Sequence, residues 1–333
     1  MARDFGSSNA SRLSRRRLLQ GAAATGLAAF AAGCATSRPA TRLQPTATLA
    51  TAAPSPTAMP VPGSQIQRVV VFMKENHTFD NMFGLFPGVN GINLQNICAD
   101  QLPTDMTHKH SAALDGATPE GRCQYNQAGI SNYWSYATNY TLCDTFFSDI
   151  MGPSPANHLI FLTGEAPFVD YPPGFTPDDG WTCPNSCWDY PTIMDRVAAK
   201  GLTWRNYWAS PWSDTFMIQH LYGSPYNVPF QQFITDAQAG NLPNLSFVKT
   251  SPDLSDHPPE SMTAGENYQV REINAIINGG LWNNTAIFIT WDDWGGFYDH
   301  VAPPVAETWT DGTPLRYGPR VPLLVLGPYA RQG

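Results

Sequence analysis

The segment Thr285-Ala-Ile-Phe-Ile-Thr-Trp-Asp-Asp-Trp-Gly-Gly-Phe-Tyr-Asp-His300 joins an apolar run to two adjacent acids. Residues 285–290 have the length and side-chain content of a buried strand. Asp292 and Asp293 follow at its end. Neighbouring carboxylates repel one another and lose hydration on burial, so a strand that stops on them needs a counter-charge, and a metal ion supplies one. Gly295-Gly296 lets the backbone turn sharply beside the acids. A second apolar run, Arg68–Met73, ends on Lys74-Glu75-Asn76-His77. Two strands that deliver oxygen ligands at their carboxyl ends predict a metal site at the edge of an open α/β sheet.

Working outward, apolar runs at 68–73, 202–208, 245–249, 285–290 and 321–326 read as strands, and 78–84, 129–138, 156–163, 191–199, 229–238 and 265–278 read as helices. Strands alternating with helices predict a mainly parallel sheet covered on both faces. The run Leu245–Lys249 leads to Asp253, Asp256 and His257, so three strands direct polar groups toward one edge. Met151-Gly-Pro-Ser-Pro-Ala-Asn-His158 precedes the apolar run Leu159–Leu162, which predicts Ser154 at an N-cap with Pro155 first in the helix. The same position suits a nucleophile, because free N–H groups at a helix start favour an alkoxide and a bound phosphate. Pro155 lacks the N–H that an acyl-transfer serine needs from the next residue, which counts heavily against a lipase or esterase elbow. Ala156 and His158 stand where a sulfatase carries Pro and Arg.

The N-terminus has its own logic. Ser14-Arg-Arg-Arg-Leu-Leu19, followed by an Ala/Gly/Leu-rich stretch, reads as a twin-arginine signal over residues 1–34, and Ala31-Ala-Gly-Cys34 resembles a lipobox that would lipidate Cys34. Residues 35–64 read as a disordered Thr/Ala/Pro tether, and 65–333 as one large domain. The chain is therefore expected outside the cytoplasm, as a cell-surface lipoprotein or a secreted or periplasmic protein. Setting aside residues 1–34, with five arginines and one aspartate, leaves 14 basic and 26 acidic residues, which argues against nucleic acid as a partner. An exported chain permits disulfides, and Cys183–Cys187 and Cys98–Cys123 are candidate pairs, with Cys143 a buried thiol.

Five ordered blocks carry a resemblance. Glu75-Asn-His-Thr-Phe-Asp-Asn-Met-Phe-Gly84, Asp144–His158, Asp256-His-Pro-Pro259, Trp291–Pro304 and Tyr317–Tyr329 resemble the bacterial phosphoesterase family of phosphatidylcholine-type phospholipases C and related acid phosphatases. The resemblance implies an alkaline-phosphatase-like α/β/α sandwich. It implies that Glu75, Asn76, Asp292 and Asp293 hold a divalent metal ion (calcium, magnesium, manganese or zinc). It makes Ser154 the nucleophile and His257 and His110 its catalytic partners, with His108 the alternative register for the second. Asn157 and His158 become candidate phosphate contacts, although the family commonly has Arg where His158 stands. Family members continue beyond the position of Gly333, so a final helix is expected to be missing. His77, His220 and His300 are expected to be structural.

The activity implied is hydrolysis of a phospholipid or small phosphate ester through a phosphoserine. The Asp292-Asp293 pair is the form found in the acid phosphatase branch, which acts on monoesters. A lipid-anchored binding protein with a decayed site is the reading from another class. Trp134, Tyr136, Trp181, Trp188, Trp208 and Trp212 are candidates for an aromatic box around a cationic head group, or for the core.

Overall fold

The computed structural model describes residues 56–171, 188–209, 213–308 and 314–332. Cys34, the Cys183–Cys187 pair, Trp181 and Trp212 lie outside the described residues. Strand β1 (Arg68–Lys74) runs through the middle of a seven-stranded sheet. Its side chains are apolar on both faces because both faces are covered. Val70 and Phe72 enter one core, with Phe233, Ile273 and Ile276; Val71 and Met73 enter another, with Leu159, Leu162 and Met194. Successive strand side chains point to opposite faces, so the two cores are the two sides of the sheet. Helices cover both, which makes the domain the three-layer α/β/α sandwich that the resemblance implied.

The other strands are β2 (Thr141–Cys143), β3 (Trp204–Trp208), β4 (Asn227–Pro229), β5 (Leu245–Val248), β6 (Thr285–Trp291), β7 (Val305–Thr308), β8 (Pro314–Arg316) and β9 (Leu323–Leu326). The large sheet has the order β2-β9-β6-β1-β5-β3-β4, and β7 and β8 pair separately. Every pairing among β6, β1, β5, β3 and β4 is parallel, while β9 runs antiparallel to both β6 and β2. The sequence-predicted strands all form. Three-residue β2 and β4 carry too few side chains for a periodic signal.

The helices are α1 (Phe79–Phe83), α2 (His110–Asp115), α3 (Ser131–Asn139), α4 (Ser154–Thr163), α5 (Ile193–Ala199), α6 (Gln232–Gln238) and α7 (Met262–Asn278). Helix α7 starts where the Ser261 hydroxyl accepts the Ala264 N–H, and it buries Tyr268, Ile273 and Ile276 against the sheet. Helix α4 corrects one expectation. Pro153, not Ser154, occupies the N-cap, and Ser154 is the first helical residue. Its hydroxyl is drawn away from capping by the carboxylates it faces. Among the described residues no helix is long and apolar enough to cross a membrane.

Cys98 and Cys123 are joined by a disulfide, and Cys143 is a half-buried thiol on β2. Within the stretch 35–64, Thr57 O accepts the Thr203 hydroxyl and Met59 N donates to Asn244 Oδ1. Register places the functional edge. Lys74 of β1 pairs with Trp291 of β6, so Glu75-Asn76 and Asp292-Asp293 leave the sheet side by side. Phe72 pairs with Val248 of β5, which brings Lys249 and the residues after it to the same edge.

Candidate active site

Ser154 stands at the start of α4, facing the ends of β1 and β6. Its Oγ lies 3.1 Å from Asp293 Oδ2, 3.2 Å from Asn76 Oδ1 and 3.4 Å from Glu75 Oε2. A hydroxyl has one proton and serves one acceptor at a time. The other two oxygens meet Oγ lone pair to lone pair, in a site where Glu75, Asn76, Asp292 and Asp293 are all buried. A cation removes that conflict, so the donor set fits a hard divalent ion. Asn76 takes a left-handed φ of 66°, and its N–H donates to Asp292 Oδ1 at 2.9 Å. That bond ties the two ligand pairs together. Gly295 is required here, since a Cβ on it would lie 2.2 Å from the Asn76 carbonyl oxygen.

Two buried cations flank the acids. Lys249 Nζ sits 2.7 Å from Glu75 Oε1 and 3.6 Å from Asp214 Oδ1. His158 lies with Nε2 3.1 Å from Asp292 Oδ2 and Nδ1 3.0 Å from Asp214 Oδ1. Burial opposes the charge on His158, yet Asp214 and then Asp292 outweigh burial and the Lys249 charge, and its pKa rises to about 9. The ligand atoms of Glu75, His158 and Asp292 come within 4.8 Å of one another. Its raised pKa and its contacts with Asp214 and Asp292 suit the His158 ring as a counter-charge to the acids. Asp292 and Asp293 divide in response. Burial raises both carboxyls, but the His158 contact holds Asp292 well below the ordinary range. Asp293 is driven well above it by burial and by the charge of Asp292.

Ser154 opens on a cavity of about 320 Å³ whose wall includes Glu75, Lys249, His108, His257 and Tyr171. Of the two registers weighed for the second histidine, His108 lines this cavity. Its Nδ1 bonds to Met106 O, and its ring meets that of His257 edge-on at 6.5 Å. Burial lowers the His108 pKa, but the charges of Asp293 and Asp105 more than reverse this and hold it above the ordinary value. His110 begins α2, with Nδ1 2.5 Å from Met151 O. It supports the loop ahead of Ser154. Asn157 does the same, since its side chain accepts from Ile150 N and donates to the Ile150 and Gly152 carbonyls. His158 is wholly buried behind the carboxylates. Neither Asn157 nor His158 is on the cavity wall.

Asp214 and Lys249 were not singled out from the sequence. The signal was available for both, because each follows a sheet strand at its carboxyl end, β3 and β5 respectively. A second acid–histidine group, Asp80, Asp299 and His300, is already neutralised by buried Arg320, which binds Asp299 at 2.8 Å and Asp80 at 3.1 Å. His300 belongs to this lock, His77 packs on Phe297, and His220 bridges Asp189 and Asp195 at the surface. Of the aromatic candidates, Trp134 and Tyr136 pack in the α3 core, Trp188 lies on Phe168 and Trp208 on Phe216; Tyr171 alone among the described aromatics lines the cavity.

Fold and site together define an α/β-sandwich protein with a serine hydroxyl set among carboxylate and amide oxygens at the carboxyl edge of its sheet. The profile of the Phosphoesterase family matches residues 66–120 and 117–333, and the chain belongs to that family. It is 24% identical over 366 residues to a haemolytic phospholipase C of Pseudomonas aeruginosa, covering 80% of this chain and 50% of the relative. It is 23% identical over 376 residues to phospholipase C A of Mycobacterium tuberculosis, covering 82% and 70%. The chain spans about half the length of the Pseudomonas relatives it matches. Among solved structures it is similar to an alkaline phosphatase superfamily protein of Vibrio parahaemolyticus, with TM-score 0.41 and 12% identity over 88% of this chain and 67% of that one. It is also similar to a murine ectonucleotide pyrophosphatase/phosphodiesterase 5, with TM-score 0.41 and 13% identity over 72% and 64%.

Proposed function

We propose that the protein is an exported, metal-dependent, phospholipase C-like phosphoesterase that cleaves its substrate through Ser154. The observation that carries this reading is the Ser154 hydroxyl enclosed by Glu75, Asn76 and Asp293 at 3.1–3.4 Å. Glu75, Asn76, Asp292 and Asp293 would hold a divalent ion, which would supply positive charge to lower the hydroxyl pKa and offset the charge of the phosphoryl group. Lys249 and His158 hold Glu75 and Asp292 in place from behind. Ser154 Oγ attacks phosphorus in line. The Oγ–P bond forms as the bond from phosphorus to the ester oxygen breaks, leaving phosphoserine and an alcohol. Water then cleaves the Oγ–P bond and regenerates Ser154. His257 and His108 face the cavity and are the groups placed to protonate the leaving alkoxide and to donate to phosphoryl oxygens.

Phospholipid diesters are the substrate class favoured by the names of the relatives. The Asp292-Asp293 pair and a cavity near the small end of ligand-site volumes favour a second reading, an acid phosphatase acting on phosphomonoesters. A decayed binding protein fits poorly with a nucleophile and four ligands that converge. The twin-arginine pattern and Cys34 support export and a lipid anchor, which palmitate labelling of Cys34 tests.

The deciding experiment is hydrolysis of p-nitrophenyl phosphorylcholine beside p-nitrophenyl phosphate, with and without EDTA. Diester turnover lost with EDTA supports the phospholipase C-like reading. Turnover of the monoester alone selects the phosphatase. Turnover that survives both EDTA and Ser154→Ala refutes the mechanism.

A further inference from the structure

His257 reaches the cavity from a backbone under constraint. The residue before it, Asp256, is fully buried and holds a left-handed φ of 71°. For a residue with a Cβ that conformation is uncommon and persists where neighbours fix it. The neighbours are specific. Asp256 Oδ1 lies 3.3 Å from Lys74 Nζ, Oδ2 accepts the Tyr133 hydroxyl at 2.8 Å, and the carbonyl oxygen is 2.8 Å from His77 Nε2. Gly265 of α7 leaves room for the carboxylate, because a Cβ there would sit 1.9 Å from Oδ1. The sequence directed Asp256 toward the site with the other polar groups; the structure turns it inward.

Lys74 is the residue before Glu75, as Asp256 is the residue before His257. The buried Lys74–Asp256 pair therefore joins the chain that presents a metal ligand to the chain that presents a catalytic histidine. Two further bonds run parallel to it, Glu75 N to Ser255 O at 2.9 Å and Lys74 Nζ to Leu254 O at 2.8 Å. His257 itself bonds through Nδ1 to Pro258 O at 2.5 Å, which leaves Nε2 as the ring atom for proton transfer.

We propose that Lys74 and Asp256 are positioning residues that fix His257 relative to Glu75 for protonation of the leaving group. This rests on the phosphoesterase reading above. Displacement of a reacting group by about 1 Å costs roughly 100-fold in rate, and the loss falls on the step the displaced group serves. A p-nitrophenolate leaves without protonation, whereas an alkoxide does not.

The test compares Asp256→Asn, Lys74→Met, their double variant and Tyr133→Phe on two esters of the same phosphorylcholine group, one with p-nitrophenol and one with an alkyl alcohol. The expected result is a kcat on the alkyl ester lower by about 10- to 100-fold, with KM within about threefold and the p-nitrophenyl ester affected less than about fivefold. The double variant is no worse than either single one, and Tyr133→Phe, which leaves the ion pair intact, moves the same way by less. Equal loss on both esters, or none, overturns the proposal and leaves the pair a structural one. Should Asp256→Asn fail to fold, Tyr133→Phe and Lys74→Met decide by the same comparison. The ring resonances of His257 report independently of turnover. They broaden or split in the variants while those of remote His220 do not, and an unchanged His257 signal in every folded variant overturns the proposal. A wild-type protein inactive on both esters removes the phospholipase C-like diester reading, yet the His257 signals still decide the positioning claim.

Discussion

Asp293→Asn separates the folding role of the acid pair from its metal role. In the metal-free protein burial and the charge of Asp292 push the Asp293 carboxyl well above the ordinary range, which favours its neutral form. Asparagine then replaces one neutral group by another of the same shape. Its Oδ1 can keep the Gly295 N–H at 2.8 Å, and its Nδ2 can donate to Ser154 Oγ, whose own proton passes to Asn76 Oδ1 at 3.2 Å. Every bond has a partner, so metal-free stability is expected to change by about 1 kcal/mol or less. The proposed metal-bound state would differ, because it would lose one of three anionic ligands. At free metal about 1,000 times Kd the wild type gains about 4 kcal/mol. For a domain of this size that is about 8–16 °C in Tm. The assay is thermal denaturation at pH 7.5 with EDTA or with calcium, magnesium, manganese or zinc. The wild type is expected to show the shift with at least one ion, and Asp293→Asn to lose most of it. A metal-free variant destabilised by more than about 3 kcal/mol would show that Asp293 is ionised and paired. A variant that keeps the full shift would remove Asp293 from the ligand set. Either result refutes the reasoning.

Other outcomes follow from the same geometry. Ser154→Ala is expected to lower kcat by roughly 1,000-fold or more while the metal-induced Tm shift persists, measured by steady-state hydrolysis beside denaturation. His108→Ala is expected to cost on the order of 100-fold in kcat and His110→Ala less than about tenfold, because His108 lines the cavity and His110 supports the Met151 carbonyl; the reverse order would place the other histidine at the reacting atoms. Glu272 is fully buried, and burial raises its pKa to about 8 against the opposing charge of Lys74. The folded state therefore holds a proton that the unfolded state releases near pH 4.5. This contribution is complete below that pH and is lost as pH rises through about 8, by at most about 5 kcal/mol. Glu272→Gln is expected to flatten the decline, matching the wild type at pH 5 and melting higher at pH 9.

The strands and the polar pairs at their ends were legible because their signal is local. Apolar runs that end abruptly on Glu75-Asn76 and Asp292-Asp293 announce both a buried strand and the point where it leaves the sheet. A parallel sheet then sends all such ends to one edge. The helix after Ser154 was legible for the same reason, down to its Pro155. Its start was misplaced by one residue, since a cap depends on what the hydroxyl faces, and the carboxylates facing Ser154 come from positions 75 and 293.

Other features had no local signature. His108 and His110 are two residues apart, and only the course of the chain before α2 sets which of them reaches the cavity. Lys249, Asp214 and His158 stand on separate segments of the chain, at a strand end, in a turn and in a helix. They become a charge cluster only when β5, the turn after β3 and α4 meet behind Glu75 and Asp292. Asp256 looked like a site acid and proved to be a buried partner of Lys74. Sequence alone determined which segments are buried and which residue types stand at their ends, because hydrophobic periodicity and backbone punctuation act over a few residues. Tertiary structure alone decided which charged groups share a cavity, because electrostatic interaction depends on distance and burial, and both are set by packing between segments far apart in the chain.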